Sequence, residues 1–164
     1  MFNEVIMEKK FTDSAAIRIP PPVFFFVCLG CGLLMEYLLP IHLINLSPIL
    51  RVIAGGILML ASGYLAVSAF FVLIKNKTTF NTAKSTIKIV TDGAYRFSRN
   101  PLYLSLLLLL FGIAVLTFSL WLFFTVPILY ILFLFKAVKP EERYLSQKFG
   151  KEYLEYLAKV RRWI

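Results

Sequence analysis

From Leu102 to Phe135 the chain runs for 34 residues without a charged side chain. As one helix that run would measure about 51 Å at 1.5 Å per residue, well beyond a hydrocarbon core of about 30 Å. Two spans, about 102–117 and 119–135, fit better, with a turn near Thr117-Phe118-Ser119. Two further apolar blocks precede it. The first, about 21–39, is interrupted only by Glu36, starts at Pro20-Pro21-Pro22, and is longer than a signal-peptide core. The second, about 49–74, carries only Arg51 and contains Gly55, Gly56, Ala61, Ser62, Gly63 and Ala66, small residues that let helices approach closely in lipid. After Phe135 charge returns, and Leu145, Phe149, Tyr153, Tyr156, Leu157 and Val160 recur at amphipathic-helix spacing. The expectation is an all-α integral membrane protein. One domain, 1–164, holds about four transmembrane helices and a C-terminal amphipathic cytosolic helix.

Composition agrees: 59% of residues are hydrophobic and 16% charged, where soluble domains carry about a quarter charged residues. The net charge of +9 does not point to nucleic acid, because the basic residues lie between and after the apolar blocks. Their expected partners are anionic membrane lipids. Fourteen of the eighteen Lys and Arg fall in the segment 75–101 or in the tail from Lys136. By the positive-inside rule both segments, and both termini, are expected on the cytosolic face of a multi-pass protein. In a prokaryote that membrane would be the cytoplasmic one.

Most catalytic constellations are missing. The only histidine, His42, is remote from Cys28 and Cys31, which lie inside an apolar run, so neither a metal site nor a histidine triad is expected. No phosphate-cradling glycine loop occurs. Glu36, four residues before Pro40, is expected to snorkel to water. Two polar segments remain, Thr91–Tyr103 (TDGAYRFSRNPLY) and Pro140–Tyr144 (PEERY). Each alone reads equally well as interfacial decoration, tyrosine and arginine at headgroup depth or carboxylates at a helix start. A four-span chain nevertheless returns both to one interface.

The stretch Ile89–Tyr103 (IVTDGAYRFSRNPLY), with Glu141–Tyr156 (EERYLSQKFGKEYLEY) and Arg161-Arg162-Trp163, resembles the isoprenylcysteine carboxyl methyltransferase family, which is related to the integral-membrane phospholipid methyltransferases. The resemblance covers about the C-terminal half. It implies an S-adenosylmethionine-dependent methyltransferase acting on a lipophilic or lipidated acceptor, with its cofactor region in about 87–103 and 136–164. Carried over by position, Tyr95, Asn100, Pro101, Leu102 and Tyr103 match cofactor-contacting positions, Glu141 matches the cofactor-binding carboxylate, and the run Ile87, Lys88, Ile89, Val90 corresponds to a lining stretch. Eukaryotic members carry His at the position of Asn100. They also carry a substrate-contacting Arg at the position of Ala137.

The residue chemistry is compatible. A carboxylate such as Glu141 can hold the cofactor's ammonium, Arg99 or a tail arginine its carboxylate, and tyrosines its sulfonium. A carboxylate or thiolate acceptor needs no general base; an amine or phenol needs one, and Glu142 is the nearest spare carboxylate. Arg99 and Glu142 are therefore the candidate catalytic pair. The Arg161-Arg162-Trp163 end is expected to act as an interfacial lid. The alternatives are a phospholipid-type N-methyltransferase, a non-enzymatic membrane protein whose motifs are anchors, or a relative of the sterol reductases.

Overall fold

The computed structural model describes residues 19–41, 47–76 and 88–164, and all regular structure among them is helical. Helices α1 (Pro21–Leu38), α2 (Pro48–Lys75) and α3 (Pro101–Thr117) each begin with proline. A first-turn amide has no intrahelical acceptor, so proline's missing N–H loses nothing there. Helix α4 (Leu120–Phe133) passes through a π-helical segment, Leu134–Val138, into α5 (Lys139–Phe149). Helix α6 (Lys151–Lys159) follows. α1, α2 and the continuous run Leu120–Phe149 are long and apolar enough to cross a membrane, and α3 is a shorter apolar helix. The all-α membrane architecture expected from the apolar blocks is the one observed.

In space the helices follow the order α2, α3, α4, α1, with α1 also touching α3. The core between them holds Phe25 and Cys28 of α1, Leu107, Leu110 and Ala114 of α3, and Leu122, Leu129 and Phe133 of α4. Outward faces are apolar: Ile57, Leu60, Val67 and Phe71 of α2 are exposed, as a lipid-facing helix requires. Between α2 and α3 the approach is close. The Ser62 hydroxyl donates to the Ser105 carbonyl at 2.7 Å, and Gly55 lies against Leu116 and the Gly112 carbonyl.

The α3–α4 turn falls at Phe118-Ser119. Phe118 adopts a left-handed conformation, φ 56°, ψ 31°, with the Arg51 guanidinium 5.5 Å from its ring centroid. Ser119 caps α4 by accepting the Leu122 N–H at 3.3 Å. Its hydroxyl also donates to Glu36 at 2.6 Å. Glu36 therefore does more than snorkel: it ties the end of α1 to the hairpin turn. Trp121 Nε1, donating to the Leu39 carbonyl at 2.7 Å, fastens the same end.

The tail differs from the single amphipathic helix expected. It breaks at Gly150, whose φ of 52° favours glycine. The predicted stripe is intact but faces inward: Leu145, Phe149, Leu157 and Val160 pack with Tyr153 and Tyr156 around Ile89.

A β-carbon at Gly55 would sit 2.9 Å from Leu116 Cβ and 3.0 Å from the Gly112 carbonyl oxygen, whereas one at Gly56 meets nothing within 4 Å. Gly55→Val should therefore destabilise the fold by about 1–3 kcal/mol, and Gly56→Val should not. Thermal unfolding of both variants in one detergent checks this; equal midpoints would contradict the packing described.

Candidate functional site

The start of α1, the end of α2, the start of α3, and α5 and α6 converge at one end of the bundle around a cavity of about 270 Å³. Its wall is built partly from irregular backbone. Ile89 and Val90 are successive buried residues serving opposite neighbours, as extended backbone allows. Ile89 packs with Tyr153 and Tyr156 of α6, and Val90 with Val72 and Leu73 of α2. A 3₁₀ turn, Gly93–Arg96, follows. Gly93 has φ +55°, and a β-carbon there would lie 2.6 Å from Val72 Cγ2, so both conformation and space require glycine. The Tyr156 hydroxyl donates to the Tyr95 carbonyl at 2.7 Å, fixing the turn to α6.

Lys88, Ile89, Val90, Tyr95, Asn100, Pro101, Leu102, Tyr103 and Glu141 all line the cavity, as does Arg99. Ile87 lies outside the described residues. Glu141, in the polar turn beyond the apolar part of the α4–α5 run, accepts the Tyr103 O–H at 2.9 Å. The Tyr103 ring is seated on Phe133, centroids 5.3 Å apart. No cation pairs with Glu141 among the described residues. Burial pushes the phenols of Tyr95, Tyr153 and Tyr156 upward. The Glu141 charge adds to this at Tyr95 and the Glu142 and Glu141 charges at Tyr153, while Arg99 opposes it at Tyr153 and Tyr156. All three therefore stay protonated at neutral pH. The wall thus offers one carboxylate without a counter-ion, aromatic surface around it, and the Arg99 guanidinium, whose Nε is buried without a hydrogen-bond partner.

Glu142 is placed otherwise than the spare-base reading expects. It is not among the lining residues. Its carboxylate accepts both arms of the Arg162 fork, from Nε at 3.0 Å and from Nη2 at 2.8 Å, and lies 3.3 Å from Arg99 Nη1. The hydrogen bonds to Glu142 raise the Arg162 pKa, with burial opposing. A carboxylate whose two oxygens are engaged by guanidinium groups is not free to face an acceptor in the cavity. The tail end is likewise not an open interfacial lid. Trp163 packs on Tyr130, centroids 5.3 Å apart, and against the bundle core. Arg161 and Arg162 meet the loop before α3: the Arg99 N–H donates to the Arg161 carbonyl at 3.1 Å, and Asn100 Nδ2 donates to the Arg162 carbonyl at 2.9 Å. Ala137 is fully buried in the core and does not reach the cavity.

Several lining residues escape a reading of motifs. Pro21 and Pro22 of α1, Ala66, Phe70 and Leu73 of α2, and Leu106 of α3 form an apolar side of the cavity. In an apolar block such residues look like their lipid-facing neighbours. Tyr153 and Tyr156 are visible in the sequence as part of the tail's stripe, and the stripe's destination is what the structure adds. Among the described residues no cluster of His, Cys, Asp and Glu could hold a metal.

A family model for phospholipid methyltransferase matches residues 50–152, more than half of the chain. No curated protein and no solved structure gives a match.

Proposed function

The chain belongs to the phospholipid methyltransferase family, and from that premise we propose that it transfers a methyl group from S-adenosylmethionine to the carboxylate of a lipophilic acceptor at the cytosolic face of a membrane. Glu141 carries the reading: a carboxylate in the cavity wall, held by Tyr103 and without a counter-ion among the described residues, is a receptor for a cationic group. When bound, S-adenosylmethionine supplies an electrophilic methyl group whose leaving sulfur is already activated. Glu141 would hold its ammonium, Arg99 its carboxylate, and the tyrosines would present ring faces to positive charge. The apolar side of the cavity, from Pro21 and Pro22 across to Phe70 and Leu73, suits a lipid chain.

The chain's residues act here by alignment and by excluding water. The acceptor oxygen's lone pair forms the new bond to carbon while the carbon–sulfur bond breaks and its electrons stay on sulfur. A carboxylate acceptor arrives already ionised. An ammonium acceptor would have to lose a proton first, and the carboxylate nearest to Glu141 in sequence, Glu142, is occupied by Arg99 and Arg162. That occupancy favours O-methylation over the N-methylation of a phospholipid amine.

Three measurements test the reading. Glu141→Gln should weaken S-adenosylmethionine binding by about 2–5 kcal/mol, the cost of removing one partner of a buried charge pair, while Glu36→Gln leaves it unchanged. Calorimetric titration in detergent decides, and equal affinities would remove Glu141 from the site. With methyl-labelled cofactor and a membrane lipid extract, the label should enter product as a base-labile ester; label stable to alkali would indicate N-methylation and overturn the carboxylate assignment. Single cysteines placed at Ser47 and Lys88 should label from opposite faces, Lys88 from the cytosol, and labelling from one face would refute the orientation.

A further inference from the structure

Residues Phe97–Asn100 connect the 3₁₀ turn to α3 and carry two cavity-lining side chains, Arg99 and Asn100, on irregular backbone. Such a segment has no helical ladder to fix it. Its local bonds run to its own ends: the Phe97 and Ser98 N–H groups donate to the Ala94 carbonyl at 3.3 and 3.2 Å, the Asn100 carbonyl accepts the Leu104 N–H at 3.0 Å, and the Asn100 N–H donates to Ser98 Oγ at 3.2 Å. The rest comes from about sixty residues away. The Arg99 N–H, the Asn100 amide and the Ser98 hydroxyl all donate to the carbonyls of Arg161 and Arg162. The segment 161–163 is in turn held by the Arg162 fork on Glu142 and by Trp163 on Tyr130. Glu142 closes the circuit through Arg99 Nη1. Two guanidinium groups against one carboxylate leave a net positive charge beside the cavity.

We infer that Glu142 and Arg162 are positioning residues for the cofactor's amino-acid end: through the strap 161–163 they hold Arg99 and Asn100 where a ligand carboxylate is received. This rests on the cofactor reading proposed above. Neither residue touches the ligand. Glu142 sets the direction of the Arg99 guanidinium, and Arg162 sets both the Glu142 carboxylate and the carbonyl that holds Asn100. Bidentate geometry matters more than charge, so lysine at position 162 is an incomplete substitute.

The test uses the full chain in detergent and two probes, S-adenosylmethionine and 5′-methylthioadenosine, which shares the nucleoside and sulfur but has no carboxylate or ammonium. Glu142→Gln and Arg162→Ala should each raise the S-adenosylmethionine Kd about tenfold, the loss of one charge-assisted hydrogen-bonded contact. Arg162→Lys should fall between these variants and the unsubstituted chain. The methylthioadenosine Kd should stay within about twofold throughout, because the nucleoside end does not depend on the strap. Parallel weakening of both probes would mean a general brace, and unchanged S-adenosylmethionine affinity in Glu142→Gln and Arg162→Ala would mean no positioning role; either overturns the inference. Failure of the unsubstituted chain to bind S-adenosylmethionine would overturn the proposed function itself and take the inference with it. Thermal unfolding of each variant separates these outcomes from misfolding, and Arg162→Lys supplies a milder variant should Arg162→Ala fail to fold.

Discussion

A hydrocarbon solvent offers no partner to a free N–H or C=O, which confines non-helical backbone to the ends of this chain's spans. The described irregular segments obey that constraint. One is the two-residue turn between α3 and α4, where Ser119 caps the following helix and is itself held by Glu36. Two more, 88–100 with its single 3₁₀ turn and 160–164 after α6, meet at the opposite end of the bundle. The hairpin brings them together, since α3 leaves that end and α4 returns to it. One end is thereby tied off by hydrogen bonds to helix ends, and the other accumulates polar groups around a cavity. The candidate site sits where the backbone is free to be irregular.

The π segment sets which residues of the returning helix reach that cavity. Lys139 donates its N–H to the Leu134 carbonyl, five residues back, so the turn holds one residue more than an α-turn. Each residue in a helix advances the side-chain direction by about 100°, and the insertion rotates everything after it by a similar angle. Ala137 and Val138 go to the core, and Glu141 comes round to Tyr103. Pro140 gives a local reason for the widening. It has no N–H to donate, and its ring conflicts with the carbonyl four residues earlier in a regular α-turn.

Much of this was legible because length and charge are strong signals in a membrane protein. The 34 uncharged residues from Leu102 demanded a hairpin, and the turn lies at Phe118-Ser119. The residues matched to cofactor positions from Lys88 to Tyr103, with Glu141, gather at one cavity. What stayed hidden depends on contacts between distant segments. Glu142 and Arg162 are both ordinary polar tail residues by pattern, and only the fold shows them as partners. The apolar stripe of the tail announced a helix but not that it would cover Ile89 in place of lipid. Gly150 lies inside the stretch Glu141–Tyr156 that carries the family resemblance, although a glycine after an amphipathic stretch is also a stop signal. Phe70 and Leu73 could not be told from lipid-facing neighbours, since hydrophobicity alone does not say which face of a buried helix borders a cavity.

The attachment of 98–100 to 161–162 has a kinetic corollary. Helices close their hydrogen bonds over four residues and hairpins over a few tens, but the loop bearing Arg99 and Asn100 is ordered by bonds spanning 62 and 64 positions. Contacts at such separation form only after the intervening chain has lost most of its freedom. The cavity wall is therefore complete only when the segment after α6 is docked on the loop before α3. Three hydrogen bonds join the two segments, so a chain with its helices in place but 161–162 undocked would lack that part of the cavity wall.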